Sequence, residues 1–157
     1  MSGICASVRW DGKPAEHADL APVLTALATR GPDGSRLAID GAAILGHSLL
    51  ATTPEALVET LPLRHTPTGC VITADVRLDN RDELLAQLDL AIAGRVIGDG
   101  ELILHAYLRW GADCPVHLLG DFAFLIWDPR HQRVFAARDK VGMKQLIYHL
   151  DQGRLFA

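Results

Sequence analysis

The segment that most constrains this chain is Phe122-Ala123-Phe124-Leu125-Ile126-Trp127, six apolar residues in succession. In an extended strand, successive side chains point to opposite faces. One face then carries Phe122, Phe124 and Ile126, and the other Ala123, Leu125 and Trp127. Neither face suits water, so the strand is expected in a sheet covered on both sides. The polar, proline-containing Asp128-Pro129-Arg130-His131-Gln132 that follows reads as a hairpin loop. Val134-Phe135-Ala136-Ala137 is expected to return antiparallel as a second buried strand, with both strands near the middle of one sheet. A turn after so few residues, and the Phe and Ile content, favour strand over a buried helix.

The rest of the chain supplies partners for that sheet. Gly3 to Arg9 reads as a strand closed by a turn at Asp11-Gly12. Leu20, Val23, Leu24 and Leu27 form one apolar stripe on a helix from about Asp19 to Thr29. Gly31 and Pro32 end that helix. Leu37-Ala38-Ile39 and Ala43-Ile44-Leu45 flank Asp40-Gly41, a two-residue hairpin signal. Ser48 to Leu63 has no clear pattern. Val71 to Leu78 alternates as a strand, and Asn80 with Glu83 suggests a capping box for a helix through Leu84, Leu85 and Leu88. Asp99 is expected to cap a third helix, on which Leu102, Ile103, Ala106, Tyr107 and Trp110 share a face, His105 lies on the surface, and Gly111 is the stop. Strands covered on both faces, with three amphipathic helices to cover them, imply a layered α+β sandwich.

Length and charge narrow the function. The chain has 157 residues, which suits one domain with a sizeable core. A net charge of −4 makes no case for nucleic acid or an anionic membrane as partner. No apolar run approaches the roughly 20 residues that span a bilayer, and Arg9, Asp11 and Lys13 interrupt any signal peptide, so a cytoplasmic location is expected. Cys5, Cys70 and Cys114 are widely spaced without a CxxC pair, so buried free thiols are expected, not disulfides or a metal site.

Gly120–Asp128, GDFAFLIWD, followed after a turn by Ala137–Tyr148, ARDKVGMKQLIY, resembles the end of the amino-terminal, glutaminase-type domain of the asparagine synthetase family. That family reads G-x-FAF-x-(L/I)-W-D, then ARD-x-x-G-x-K-P-LYY. Gln145 stands here in place of the proline, and Ile147 in place of the first tyrosine. The resemblance implies the four-layer αββα sandwich of amino-terminal-nucleophile hydrolases.

It also implies a chemistry. In the family, loss of the initiator methionine exposes a cysteine whose thiol attacks the side-chain amide of glutamine, with its own α-amine as base. Here Ser2 occupies that position, and a hydroxyl is a weaker nucleophile than a thiol at neutral pH. The family's N-G-E oxyanion hole aligns with Asp75-Val76-Arg77. An ionised Asp75 cannot donate a hydrogen bond and would repel the developing charge. In the GH-x-R-L stretch the arginine holds the glutamine carboxylate. The chain reads Gly46-His47-Ser48-Leu49-Leu50, so Leu49 replaces that cation. Asp99 matches the aspartate that binds the glutamine amine, and Arg30-Gly31-Pro32-Asp33-Gly34 is also retained, although both also suit structural roles as helix cap and turn.

Nucleophile, oxyanion hole and carboxylate clamp are thus all altered, which implies a degenerate glutaminase domain. Within the family such degeneration resembles the lasso-peptide macrocyclases and the β-lactam synthetases. Leu49–Leu63 and Ala74–Leu85 look most like the lasso-peptide branch. On this reading residues 1–157 are a single domain, the amino-terminal half of a longer ATP-dependent amide-forming ligase. It carries no cofactor itself, ATP and Mg belong to a carboxy-terminal synthetase domain with an SGG-x-DS loop, and a peptide is a possible substrate. Two alternatives stay open: an active glutaminase using Ser2, and a stand-alone module that binds a peptide or partner.

Overall fold

The computed structural model describes residues 1–90 and 94–157. In chain order the elements are β1 (Gly3–Arg9), α1 (Ala21–Leu27), β2 (Ser35–Asp40), β3 (Ala43–Ser48), α2 (Pro54–Val58), β4 (Leu63–Arg64), β5 (Val71–Leu78), α3 (Arg81–Leu88), α4 (Asp99–Trp110), β6 (Gly120–Asp128), β7 (Arg133–Arg138), β8 (His149–Asp151) and β9 (Arg154–Phe156). The strands form two antiparallel sheets, ordered β4-β5-β6-β7 and β2-β3-β1-β9-β8.

The apolar run decides how the layers meet. Phe122, Phe124 and Ile126 pack with Leu84 and Leu88 of α3 and with Leu102, Ile103, Ala106 and Tyr107 of α4. From the opposite face, Leu125 and Trp127 pack with Ala6, Val8, Ala43 and Leu45 of the other sheet. The outer face of that second sheet is covered by α1, where Leu24 and Leu27 rest against Cys5, Leu20 and Ile44. The strand is covered on both sides, as its composition requires.

Its neighbour differs from expectation. β7 pairs antiparallel with β6, Ala123↔Arg138 through Asp128↔Arg133, but it is the edge strand and not an interior one. Arg133 and Arg138 bracket only four apolar residues, and both arginines with Ala136 stay exposed. Charged residues on an edge are what keep it from pairing further. Phe135 packs toward α4, 5.2 Å from Tyr107 and 6.0 Å from Phe124 between ring centroids, and Val134 packs on the opposite face between the sheets. Asp128 belongs to the strand, not to the loop. Its fully buried carboxylate accepts from the Tyr107 hydroxyl at 2.9 Å and from Arg130 and His131. Burial works to raise that carboxyl, but these hydrogen bonds hold it well below the usual carboxylate range.

Two helix starts also depart from the reading. Asn80 forms no capping box. Its side chain donates to the His117 carbonyl and accepts from Leu119 N–H, both at 3.0 Å, so it ties the start of α3 to the approach to β6. Asp99 is the first residue of α4, not its cap. The orphan N–H groups of Gly100 and Glu101 donate instead to the Glu59 carboxylate, at 3.2 and 2.8 Å. Gly98 leaves room for it, since a Cβ there would come within 2.3 Å of the Glu59 carboxyl carbon. A carboxylate held by helix N–H groups gives this turn what a capping side chain normally gives. Gly111, at φ 60°, ends the helix as expected, and the three cysteines are free and buried.

Phe124, with no exposed surface, sits where β6 meets α4. Phe124→Ala is expected to cost about 3–5 kcal/mol, measured by urea denaturation of both proteins. A loss under about 1 kcal/mol would remove this residue from the core.

Candidate active site

Ser2 immediately precedes β1 and is 8% exposed. Its backbone N–H donates to Asp75 Oδ1 at 3.1 Å, and its hydroxyl oxygen accepts from Leu50 N–H at 3.0 Å. The serine thus bridges two elements, β5 on one sheet and the segment leaving β3 on the other.

Asp75 has a second partner that sequence reasoning did not assign. Lys144 Nζ lies 3.1 Å from its carboxylate, with both side chains largely buried. The segment after β7 delivers this lysine. Asp139 N–H donates to the Phe122 carbonyl at 2.7 Å, which extends the β6 pairing by one residue. Its carboxylate then accepts from Met143 N–H at 2.8 Å and Lys144 N–H at 2.9 Å, closing a tight loop through Gly142 at φ 73°. Burial would raise the Asp139 carboxyl, but this ring of backbone donors leaves it below its ordinary value. The ARD-x-x-G-x-K pattern is therefore a device for placing Lys144 on Asp75. The signal was present in the motif, but a lysine's target across 69 residues cannot be read from spacing.

Ser2, Leu49, Asp75 and Val76 come together on one cavity of about 610 Å³, which Arg36, His47, Glu59 and Lys144 also line. Asp99 does not form part of its wall. That carboxylate is buried, accepts from Leu78 N–H at 3.0 Å and is paired with Arg81. Four of the five residues singled out by sequence are gathered, and the fifth is engaged behind them. Arg30-Gly31-Pro32-Asp33-Gly34 has a structural task. Asp33 accepts from Ala51 N–H at 2.8 Å and Leu49 N–H donates to the Gly34 carbonyl at 2.7 Å, so the turn clasps the strand end that carries Leu49.

His47 was not singled out either. On β3 it points toward the four-stranded sheet, where Nδ1 lies 3.4 Å from Thr73 Oγ1 on β5. It is 4% exposed, and burial pushes the imidazole down to about 4. Among the described residues Nε2 has no hydrogen-bond partner. Among the described residues no three His, Cys, Asp or Glu side chains are grouped to hold a metal, and no helix is long and apolar enough to cross a membrane.

A family model described as a glutamine amidotransferase domain matches residues 1–157. The chain belongs to that family. Among its relatives is asparagine synthetase [glutamine-hydrolyzing] 3 of Bacillus subtilis, 34% identical over 130 residues that cover 78% of this chain and 20% of the relative. The asparagine synthetase of Asparagus officinalis is 33% identical over 147 residues, covering 93% and 25%. The amidase chyE of Penicillium rubens is 32% identical over 127 residues, covering 80% and 19%. The chain therefore spans between about a fifth and a quarter of these relatives. The fold is shared with a glutamine phosphoribosylpyrophosphate amidotransferase of B. subtilis, at a TM-score of 0.57 and 19% identity over 98% of this chain and 34% of that one.

In this amidotransferase domain the buried imidazole has a thermodynamic signature. Above pH 6.5 the His47 ring is neutral in both folded and unfolded chains and contributes nothing to pH dependence. Below 6.5 the unfolded chain takes up a proton that the folded ring refuses until about pH 4. Stability should therefore fall across that window, by about 3 kcal/mol from this group. Denaturation curves between pH 7 and 4 should show His47→Asn with a correspondingly shallower decline than the unmodified protein. Equal slopes would mean the ring titrates normally.

Proposed function

We propose that this amidotransferase domain is degenerate, without glutaminase activity of its own, and serves an asparagine synthetase-related, ATP-dependent amide-bond-forming enzyme. The observation that carries the reading is the Asp75 carboxylate, which accepts from Ser2 N and is paired with Lys144; the family resemblance aligns this residue with an oxyanion-hole donor. A carboxylate has no proton to offer a developing oxyanion. Loss of one such donor costs a factor of about 10²–10³ in turnover. The same carboxylate disables the base. Once Met1 is removed, the Ser2 α-amine would face Asp75 at the present N–O contact, and a neighbouring negative charge favours its protonated form. A protonated amine cannot accept the serine proton. Leu49 adds a third defect, because it offers a glutamine carboxylate neither charge nor donor.

The layering of α1, two stacked sheets and the α3–α4 pair supports the four-layer αββα sandwich of amino-terminal-nucleophile hydrolases. Relatives about four times as long as this chain support residues 1–157 as the amino-terminal domain of a longer ligase, which we place in the cytoplasm. ATP and Mg would then bind a carboxy-terminal synthetase domain acting in cis, and nothing in this domain is assigned to them. Leu49–Leu63 and Ala74–Leu85 favour the lasso-peptide macrocyclase branch over the β-lactam synthetases, with a peptide as substrate.

The test is ammonia release from glutamine by purified protein, with Met1 removal verified by mass spectrometry. No turnover is expected, and Ser2→Cys alone should not restore it. A thiol improves the nucleophile but leaves a carboxylate where negative charge must be stabilised and an aliphatic side chain where a cation is needed. The combined Ser2→Cys, Leu49→Arg, Asp75→Asn and Val76→Gly is the smallest change expected to release ammonia. Clear turnover by the unmodified chain, lost in Ser2→Ala, would overturn the reading.

A further inference from the structure

Loss of Met1 would turn the Ser2 backbone nitrogen from a neutral amide into an α-ammonium. Contacts that do not involve Met1 fix where that nitrogen sits. The Ser2 hydroxyl oxygen accepts from Leu50 N–H at 3.0 Å, and Gly3 pairs with Ser48 in the β1–β3 register. Asp75 Oδ1 lies 3.1 Å from the nitrogen, and Lys144 Nζ is 3.1 Å from the same carboxylate. Ser2 itself is buried, whereas Met1 is half-exposed at the cavity.

The second observation is the charge balance of the wall. Among the described residues, four carboxylates line the cavity: Asp33, Glu59, Asp75 and Asp121. Three permanent cations face them, Arg36, Arg77 and Lys144. Asp75 and Asp121 share one face of the β5–β6 pair, since Asp75 lies opposite Ala123 and Arg77 opposite Asp121. Arg77 is drawn to Asp79 at 3.2 Å, and Asp121 has neither a hydrogen bond nor an ion pair among the described residues. The wall is one cation short, and the shortage falls on the face that Ser2 N meets. An α-ammonium there makes the two signs equal, and compensated charges are the ones a partly buried wall tolerates.

We propose that Met1 is hydrolysed from the chain before it folds, and that the Ser2 α-ammonium so formed is a fixed structural cation that joins Lys144 on Asp75. Water cleaves the Met1–Ser2 peptide bond, methionine leaves with the new carboxylate, and the released amine takes up a proton. Hydrolysis precedes folding because in the fold Ser2 is 8% exposed and its nitrogen is engaged by Asp75, so a peptidase cannot grip the bond. A hydrogen bond from an ionised donor to a carboxylate is about twice as strong as one from a neutral N–H. Excision therefore stabilises the fold, and an acetyl group on the same nitrogen, which keeps it neutral, forfeits the gain. The inference rests on the degenerate reading of the site, since an amine held protonated by Asp75 serves structure and not catalysis.

Three forms of the chain are compared, each verified by mass spectrometry: one beginning at Ser2 after release from an amino-terminal fusion, one retaining Met1, and one beginning at acetylated Ser2. Urea denaturation at pH 7 is expected to give the free Ser2 form an unfolding constant about tenfold smaller than either blocked form. In Asp75→Asn the three forms should be equally stable, because a neutral amide gives the ammonium no charge to meet. Should Asp75→Asn fail to fold, the three termini of the unmodified chain still decide. Methionine aminopeptidase should also remove Met1 from the peptide Met1–Asp11 roughly tenfold or more faster than from the folded chain, which must open first. Equal stability of the free and blocked forms, or the same gap in Asp75→Asn, overturns the structural cation. Removal from the folded chain as fast as from the peptide overturns the order of events. Each of these failures leaves the absence of ammonia release intact, whereas glutamine turnover would remove the reading beneath the inference.

Discussion

Burial of both faces of β6 is the constraint on which the other layers depend. A strand bearing Phe122, Phe124 and Ile126 on one side and Leu125 and Trp127 on the other must be covered by helices on the first and by a sheet on the second. Once that is satisfied, β5 is fixed by its register with β6, and Asp75 falls opposite Ala123. Ala123 has Arg138 as its other neighbour, and the Asp139 loop that carries Lys144 begins one residue later. Asp75 and Lys144 therefore converge because they are the two flanks of one apolar strand. The second sheet, stacked on Leu125 and Trp127, brings Ser2 to the same point. A shift of one residue in the β5–β6 register would move Asp75 to the opposite face of its sheet and dismantle the cluster.

The three-way contact of Ser2, Asp75 and Lys144 ties the start of β1 to both flanks of β6. A carboxylate placed alone in a largely buried wall would carry a desolvation cost of several kcal/mol. Lys144 offsets that cost, so Asp75 is tolerated as part of the fold. The pairing also couples the two positions: neutralising the carboxylate leaves Lys144 without its partner, and removing the lysine leaves Asp75 without its own. Exchanging one group at a time is unfavourable in either direction, which favours retention of the pair whether or not the serine reacts.

The core was legible in the sequence because its signal is local. The alternation along Val71–Leu78 and the stripe on Asp99–Trp110 each need only a few neighbouring residues to read, and both elements fall where expected. The wrong readings are those that depend on a distant partner. Asn80 and Asp99 carry the residue types of helix caps, but a remote competitor engages each: the His117 and Leu119 backbone for one, Arg81 and Leu78 N–H for the other. Glu59, from the stretch without clear pattern, takes over the cap of α4 from 41 residues away. β7 reads as apolar in isolation, and only the sheet order reveals it as an edge. Ser2, Leu49, Asp75 and Val76 were found through resemblance, while Lys144, His47 and Arg36 emerge only from the packing of the two sheets.

The distribution of charge around the cavity carries the synthesis one step further. Asp33 holds the strand end at Ala51, Glu59 holds the start of α4, and Asp75 holds both Lys144 and the start of β1. Polar groups on this wall are thus mostly engaged in keeping the wall in place. Such a wall is held in shape largely by the fold itself, because most of its ionic groups are compensated within it. Among the described residues, the side chains of Arg36 and Asp121 are the charged groups on this wall without a hydrogen bond or ion pair.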